Sequence, residues 1–139
     1  MAAARPCDVL VAEDDPSIRA LMATAFRRRR LKPALAANGT EALQHLQSQE
    51  FLVLVLDMMM PEVNGWDVIA WLAANRERKP RTVIVVSASD RELLAELDAT
   101  VVNAVIFKPF DIMQLSAYVK ASCDLPHRDR RRSRIVEGP

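Results

Sequence analysis

A chain of 139 residues, half of them apolar and 27% charged, has the size and balance of a single globular domain with a proper core. No stretch reaches the 18 apolar residues of a membrane span, and the two cysteines, Cys7 and Cys123, have no metal-type spacing. The net charge of +1 is unevenly placed: residues 1–124 carry 14 basic and 16 acidic groups, a balance of −2, and residues 125–139 carry 5 and 2, a balance of +3.

The start, Met1 to Cys7, carries one charge and no long apolar region, so no secretion signal is expected and a reducing cytoplasm is the default location. Asp8-Val-Leu-Val-Ala12 reads as a first short strand. Asp15-Pro16 supplies an N-cap and a proline at the first helical position. Ile18, Leu21, Met22 and Ala25 follow at helical spacing, and Arg27 to Arg30 close that helix, where cations suit the dipole. Pro33 to Ala37 is a weak second strand, and Asn38-Gly39-Thr40 turns into a helix through about Gln49 with Ala42, Leu43 and Leu46 on one face.

The run Phe51 to Asp57 is apolar except for its last residue, the pattern of a strand buried on both faces in a parallel sheet. Asn64-Gly65 precedes a helix with Val68, Ile69 and Leu72 inward, ending near Asn75. Arg81 to Ser87, rich in β-branched residues, is a fourth strand. A short helix from Arg91 to Asp98, a fifth strand from Val101 to Phe107 and a last helix from Asp111 to about Ser122 complete the pattern. This (βα)5 alternation predicts an α/β three-layer sandwich around a parallel five-stranded sheet with right-handed crossovers.

Residues 125–139 hold little apolar matter beyond their arginines and are expected to form a basic, disordered tail, with a solvated terminus favoured over contact with nucleic acid or an acidic partner. Cys7 and Cys123 are expected to act separately as small apolar side chains, one beside the first strand and one near the end of the last helix.

Four polar signals fall just past the carboxyl ends of four strands: Glu13-Asp14-Asp15, Asp57, Ser87 and Lys108-Pro109. Each alone has a plain explanation: a decorated helix N-terminus, a turn serine, a solvated lysine. In a parallel sheet these ends converge on one edge, where open α/β sheets place their chemistry. Carboxylates at close range raise one another's pKa and call for a cation. An all-oxygen set without histidine or paired cysteines suits Mg²⁺. A lysine and a hydroxyl facing that ion complete a pocket for a dianionic phosphoryl group, and Asp57 is placed to accept it as a nucleophile. Metal-assisted hydrolysis is disfavoured, because His45 belongs to the second helix and His127 to the tail, leaving no second acid or base. Three glycines, none in a phosphate loop, weigh against a nucleotide site.

The segments Val11-Ala-Glu-Asp-Asp-Pro-Ser-Ile-Arg19, Val55-Leu-Asp-Met-Met-Met-Pro-Glu-Val-Asn-Gly65, Val86-Ser-Ala88 and Phe107-Lys-Pro-Phe110 resemble the signatures of bacterial two-component response-regulator receiver domains, in order and across residues 7–123. The resemblance implies a flavodoxin-like, doubly wound sheet of order 2-1-3-4-5, with residues 1–124 as a stand-alone, chemotaxis-regulator-like receiver. It implies that Asp57 is the phospho-acceptor, taking a phosphoryl group from a sensor histidine kinase or histidine phosphotransferase. Asp14 and Asp57 would hold Mg²⁺ directly, Glu13 through water, and the Met59 carbonyl would add an oxygen. Ser87 and Lys108 would bind phosphoryl oxygens, and Pro109 would follow a cis peptide.

Such a protein is a phosphorelay switch rather than an enzyme, with intrinsic autodephosphorylation. It signals through a downstream effector protein, with no direct DNA-binding domain and no membrane contact. One region departs from the family pattern. Val105 stands where receivers usually carry Tyr or Phe, and Val101 replaces a common glycine, so the usual aromatic readout is missing. A receiver-like module that binds partners constitutively is the alternative. Met58, Met59 and Met60 are read as loop and core filler, with the Met59 side chain overhanging the phosphate.

Overall fold

The computed structural model, which describes residues 7–88, 92–125 and 135–138, gathers every strand into one parallel sheet. Strands β1 (Asp8–Ala12), β2 (Lys32–Ala36), β3 (Val53–Asp57), β4 (Thr82–Ser87), β5 (Ala104–Phe107) and β6 (Val136–Glu137) lie in the order β2-β1-β3-β4-β5-β6. Helices α1 (Pro16–Arg28), α2 (Gly39–Ser48), α3 (Gly65–Ala74), α4 (Leu93–Glu96) and α5 (Ile112–Asp124) supply the crossovers. The expected doubly wound 2-1-3-4-5 arrangement is present, with one strand added at its far edge.

Alternation along each strand splits the core in two. Leu10, Leu54, Leu56, Val83, Val85 and Val105 meet Ala42 and Leu46 of α2 and Val68, Ile69 and Leu72 of α3. Val9, Val11, Val53, Val55, Ile84, Val86 and Ile106 meet Met22 and Phe26 of α1 and Leu115 and Val119 of α5. Every residue of β3 is buried, as a central strand with helices on both faces requires. Helix starts follow the capping signals: the side chains of Asp15, Asn38, Asn64 and Asp111 all accept first-turn N–H groups.

Four expectations need correction. The fifth strand starts at Ala104, not Val101, because the Val101 and Val102 N–H groups turn back to the Asp98 carbonyl at 3.0 and 2.9 Å. Their side chains are fully buried, but the ladder begins later. The short fourth helix spans Leu93–Glu96, while its expected start at Arg91 lies outside the described residues. The tail is not uniformly without structure: residues 126–134, with His127, lie outside the described residues, but Val136–Glu137 forms β6 against β5.

Finally, Cys7 and Cys123 do not act separately. They form a disulfide with Cα atoms 5.9 Å apart across 116 residues of sequence. In this topology the strand starts and the helix ends share one end of the sheet, which brings both cysteines to the same place although the sequence sets them at opposite ends.

Candidate functional site

At the other end of the sheet, β1 and β3 run in register with Ala12 opposite Leu56, so the next residues on each, Glu13 and Asp57, become neighbours. Glu13, Asp14 and Asp57 each offer a carboxylate oxygen, and these oxygens lie within 4.8 Å of one another. Glu13 and Asp57 are 1% and 4% exposed, whereas Asp14 faces solvent. Among the described residues only five polar side chains are buried, namely Glu13, Asp57, Ser87, Ser116 and Ser122. Ser116 and Ser122 donate to carbonyls of their own helix, from Met113 and Tyr118. The remaining three all belong to this edge, so burial of polar groups concentrates where the sequence places the chemistry.

Lys108 enters from the end of β5. Its Nζ donates to Glu13 Oε1 at 3.4 Å and stands 3.8 Å from Asp57 Oδ2. Its backbone N–H donates to the Ser87 carbonyl at 2.7 Å, which ties the lysine to the end of β4. The Lys108–Pro109 peptide is cis. Ser87 lies one residue past Val86, the partner of Asp57 across β3 and β4, so it stands at the same edge of the sheet.

The β3–α3 loop is pinned by Gly65. A Cβ there would stand 2.7 Å from Met58 Cα and 3.0 Å from the Asp57 carbonyl oxygen, so only glycine lets the helix start this close to β3. Its N–H closes the loop onto the Met58 carbonyl at 3.2 Å. Met58 and Met60 are buried, as filler should be, while the Met59 side chain is 71% exposed and its N–H donates to Asp57 Oδ1 at 3.1 Å.

The electrostatics show a deficit of positive charge. The Glu13 carboxyl is pushed up from 4.5 to about 7, first by burial, then by its hydrogen bond with Asp57 and by the Asp57 charge. The Asp15 N–H and the Lys108 ammonium pull the other way without cancelling the rise. One lysine does not neutralise three carboxylates. An all-oxygen set with this deficit fits a hard divalent cation such as Mg²⁺.

Asp15, the last of the acidic triplet, is the helix cap that its place before Pro16 predicts: its Oδ1 accepts from the Ser17 and Ile18 N–H groups at 2.8 and 3.2 Å. One other residue plays a part that the sequence did not announce. Arg19 holds the acidic loop from behind, its guanidinium donating to the Glu13 carbonyl at 2.8 Å and the Asp14 carbonyl at 3.3 Å. Its position one turn into a helix that follows the triplet was the only available signal.

A profile of the response regulator receiver domain matches residues 9–120. The response regulator MprA of Mycobacterium ulcerans is 32% identical over 113 residues, covering 81% of this chain and 48% of that protein. The transcriptional regulatory protein GltR of Pseudomonas aeruginosa is 28% identical over 117 residues, covering 81% of this chain and 47% of that protein. The chain thus spans about half the length of the curated relatives it matches. Among solved structures, the receiver domain of the Francisella response regulator 1452 superposes with a TM-score of 0.76 at 29% identity, over 84% of this chain and 95% of that one. The Thermotoga maritima response regulator TrrA, solved in complex with Mg(2+)-BeF, shares the fold at 24% identity, with a TM-score of 0.72 over 84% of this chain and 98% of that one.

Proposed function

The chain belongs to the response-regulator receiver domain family, and we propose that Asp57 is its phospho-acceptor. Receivers accept phosphoryl groups, and the Glu13–Asp14–Asp57 cluster fits such a phosphorylation site. A carboxylate oxygen of Asp57 attacks the phosphorus of a phosphohistidine on a donor kinase or phosphotransferase. The P–O bond forms as the P–N bond breaks, and the imidazole nitrogen keeps the electron pair. Lys108, already between Glu13 and Asp57, pairs with a phosphoryl oxygen, and the Ser87 hydroxyl donates to another. Arg19 keeps the Glu13–Asp14 backbone in place while charge moves.

Asp14 and Asp57 would hold Mg²⁺ directly, with Glu13 through water and the Met59 carbonyl completing the set, and the ion would supply the positive charge that the transferring group needs. The phosphorylated chain returns to free Asp57 by hydrolysis, so it acts as a switch read by an effector protein rather than as a turnover enzyme. Cytoplasmic residence with its phosphodonor belongs to the same reading, and in that reducing compartment Cys7 and Cys123 would rest as thiols and pair under oxidation. Among the described residues no helix is long and apolar enough to cross a membrane.

The observation that carries the proposal is the joint placement of three carboxylates and one lysine at the sheet edge. One observation favours the second reading, a constitutive interaction module: Val105, at the usual aromatic switch position, is fully buried and short. Incubation with Mg²⁺ and a small phosphoryl donor, followed by intact-mass measurement, separates the two. The switch predicts a single added phosphoryl group, lost completely in Asp57→Ala and reduced at least tenfold in Lys108→Ala. No modification of the parent chain overturns it.

A further inference from the structure

Strand β6 is the element that the alternating sequence pattern does not announce. It pairs in parallel with β5, Val136 opposite Ala104 and Glu137 opposite Val105. The Val136 N–H donates to the Asn103 carbonyl and the Gly138 N–H to the Val105 carbonyl, both at 2.8 Å. Ile135 packs against the cluster that contains Val101, Val102 and Val105. On the other face, a Cβ at Gly138 would stand 2.9 Å from Ile106 Cγ1. Val136 itself remains 52% exposed and adds little apolar contact.

The edge of β5 therefore reads three things: backbone hydrogen-bonding groups in parallel register, an aliphatic side chain at the first position, and no side chain at the fourth. Recognition by strand addition works in this way, with main-chain bonds giving affinity and alternate side chains giving selectivity. An uncovered edge accepts foreign strands, so folded proteins close it. We propose that Ile135–Gly138 is an intramolecular plug on the β5 edge, which makes that edge a docking site for extended peptides of the pattern aliphatic-x-x-glycine, closed in cis by the chain's own copy. The contacts that define the plug involve none of Glu13, Asp14, Asp57, Ser87 and Lys108, so the proposal stands apart from the phospho-acceptor reading.

Residues 126–134 are all that separates Leu125 from Ile135, and a tether this short gives the plug an effective concentration of order 1 mM. A plug that is docked most of the time therefore has a dissociation constant below about 1 mM when offered as a free peptide.

The test uses the full chain. Val136→Pro removes the N–H that bonds Asn103 at a half-exposed edge position outside both core clusters, and near-ultraviolet circular dichroism confirms that the core is intact. A labelled peptide spanning residues 134–139 is titrated into both chains. Saturable binding to Val136→Pro below about 1 mM, at least roughly twofold weaker binding to the parent, and a several-fold loss with a Gly138→Val peptide are expected. Absence of binding to Val136→Pro up to about 5 mM, several times the effective concentration, overturns the proposal. Equal binding to both chains also overturns it.

A parent that sediments as a dimer, and becomes a monomer in Val136→Pro, assigns the edge to a second copy's tail instead. An independent reading comes from amide exchange in the parent. Val136 and Gly138 should exchange at least about twofold slower than an unfolded chain, and exchange at the unfolded rate refutes the plug.

Discussion

The two ends of the sheet are built on opposite terms. Where the strands finish, Glu13 and Asp57 are buried beside Asp14 with Lys108 as the cation that pairs with two of them. Where the strands begin, Cys7 is bonded to Cys123, and Arg81 donates to the Ser122 and Cys123 carbonyls at 3.0 and 3.2 Å, which fastens the last turn of α5. The first end holds charges that a ligand must complete. The second is complete as it stands. Like-charged groups drawn together for binding destabilise the empty fold, and closing the chain elsewhere offsets that cost.

The largest test of this contrast is Cys123→Ser. Closing a loop between residues 116 apart in sequence should contribute about 3–5 kcal/mol, so the variant should melt on the order of 10 °C lower, as should the reduced parent. Identical melting of oxidised and reduced protein would erase the distinction between the two ends.

The next effect is pH-dependent and comes from the acidic end. The folded protein holds the Glu13 proton up to about 7, whereas the unfolded chain releases it near 4.5. The folded state thus binds more protons in that window, and stability falls as pH rises through it, by about 2–3 kcal/mol at most. Urea titrations of metal-free protein at pH 4.5 and 7.5 measure the slope, and saturating Mg²⁺ should flatten it by favouring the carboxylate. A metal-independent slope would mean that the cluster is not the cation site.

A smaller change probes the packing between loop and site. Gly65→Ala forces a Cβ against Met58 and the Asp57 carbonyl, costing about 1–2 kcal/mol in denaturant midpoint and slowing phosphoryl uptake as the loop shifts. Wild-type uptake in this variant would show that the loop adjusts without moving the acceptor. The smallest effect on stability belongs to Met59→Asn, within about 0.5 kcal/mol, because the side chain is exposed. If Met59 overhangs the phosphate, dephosphorylation should change several-fold; equal rates would dismiss that role.

The site was legible because its chemistry needs particular residue types at strand ends. Asp57 after six apolar positions and Lys108 before a proline are conspicuous in a buried pattern. Arg19 was not, since an arginine on a helix carries no mark of the carbonyls it will meet. Val101 and Val102 resemble strand in sequence because an apolar run alone does not distinguish a ladder from a buried turn. Strand β6 escaped because two residues paired through their backbones leave no pattern in side-chain type, and Arg128 to Arg134 dominate the tail's composition.

The sequence by itself determined the alternation of strands and helices, the caps and which acidic side chains stand at the strand ends, because these depend on local periodicity and residue type. Tertiary structure alone decided that Cys7 meets Cys123, that Glu13 is held protonated up to about 7, and that the tail's end closes the β5 edge. Each of the three depends on distances between residues remote in the chain, which only the register of the finished sheet sets.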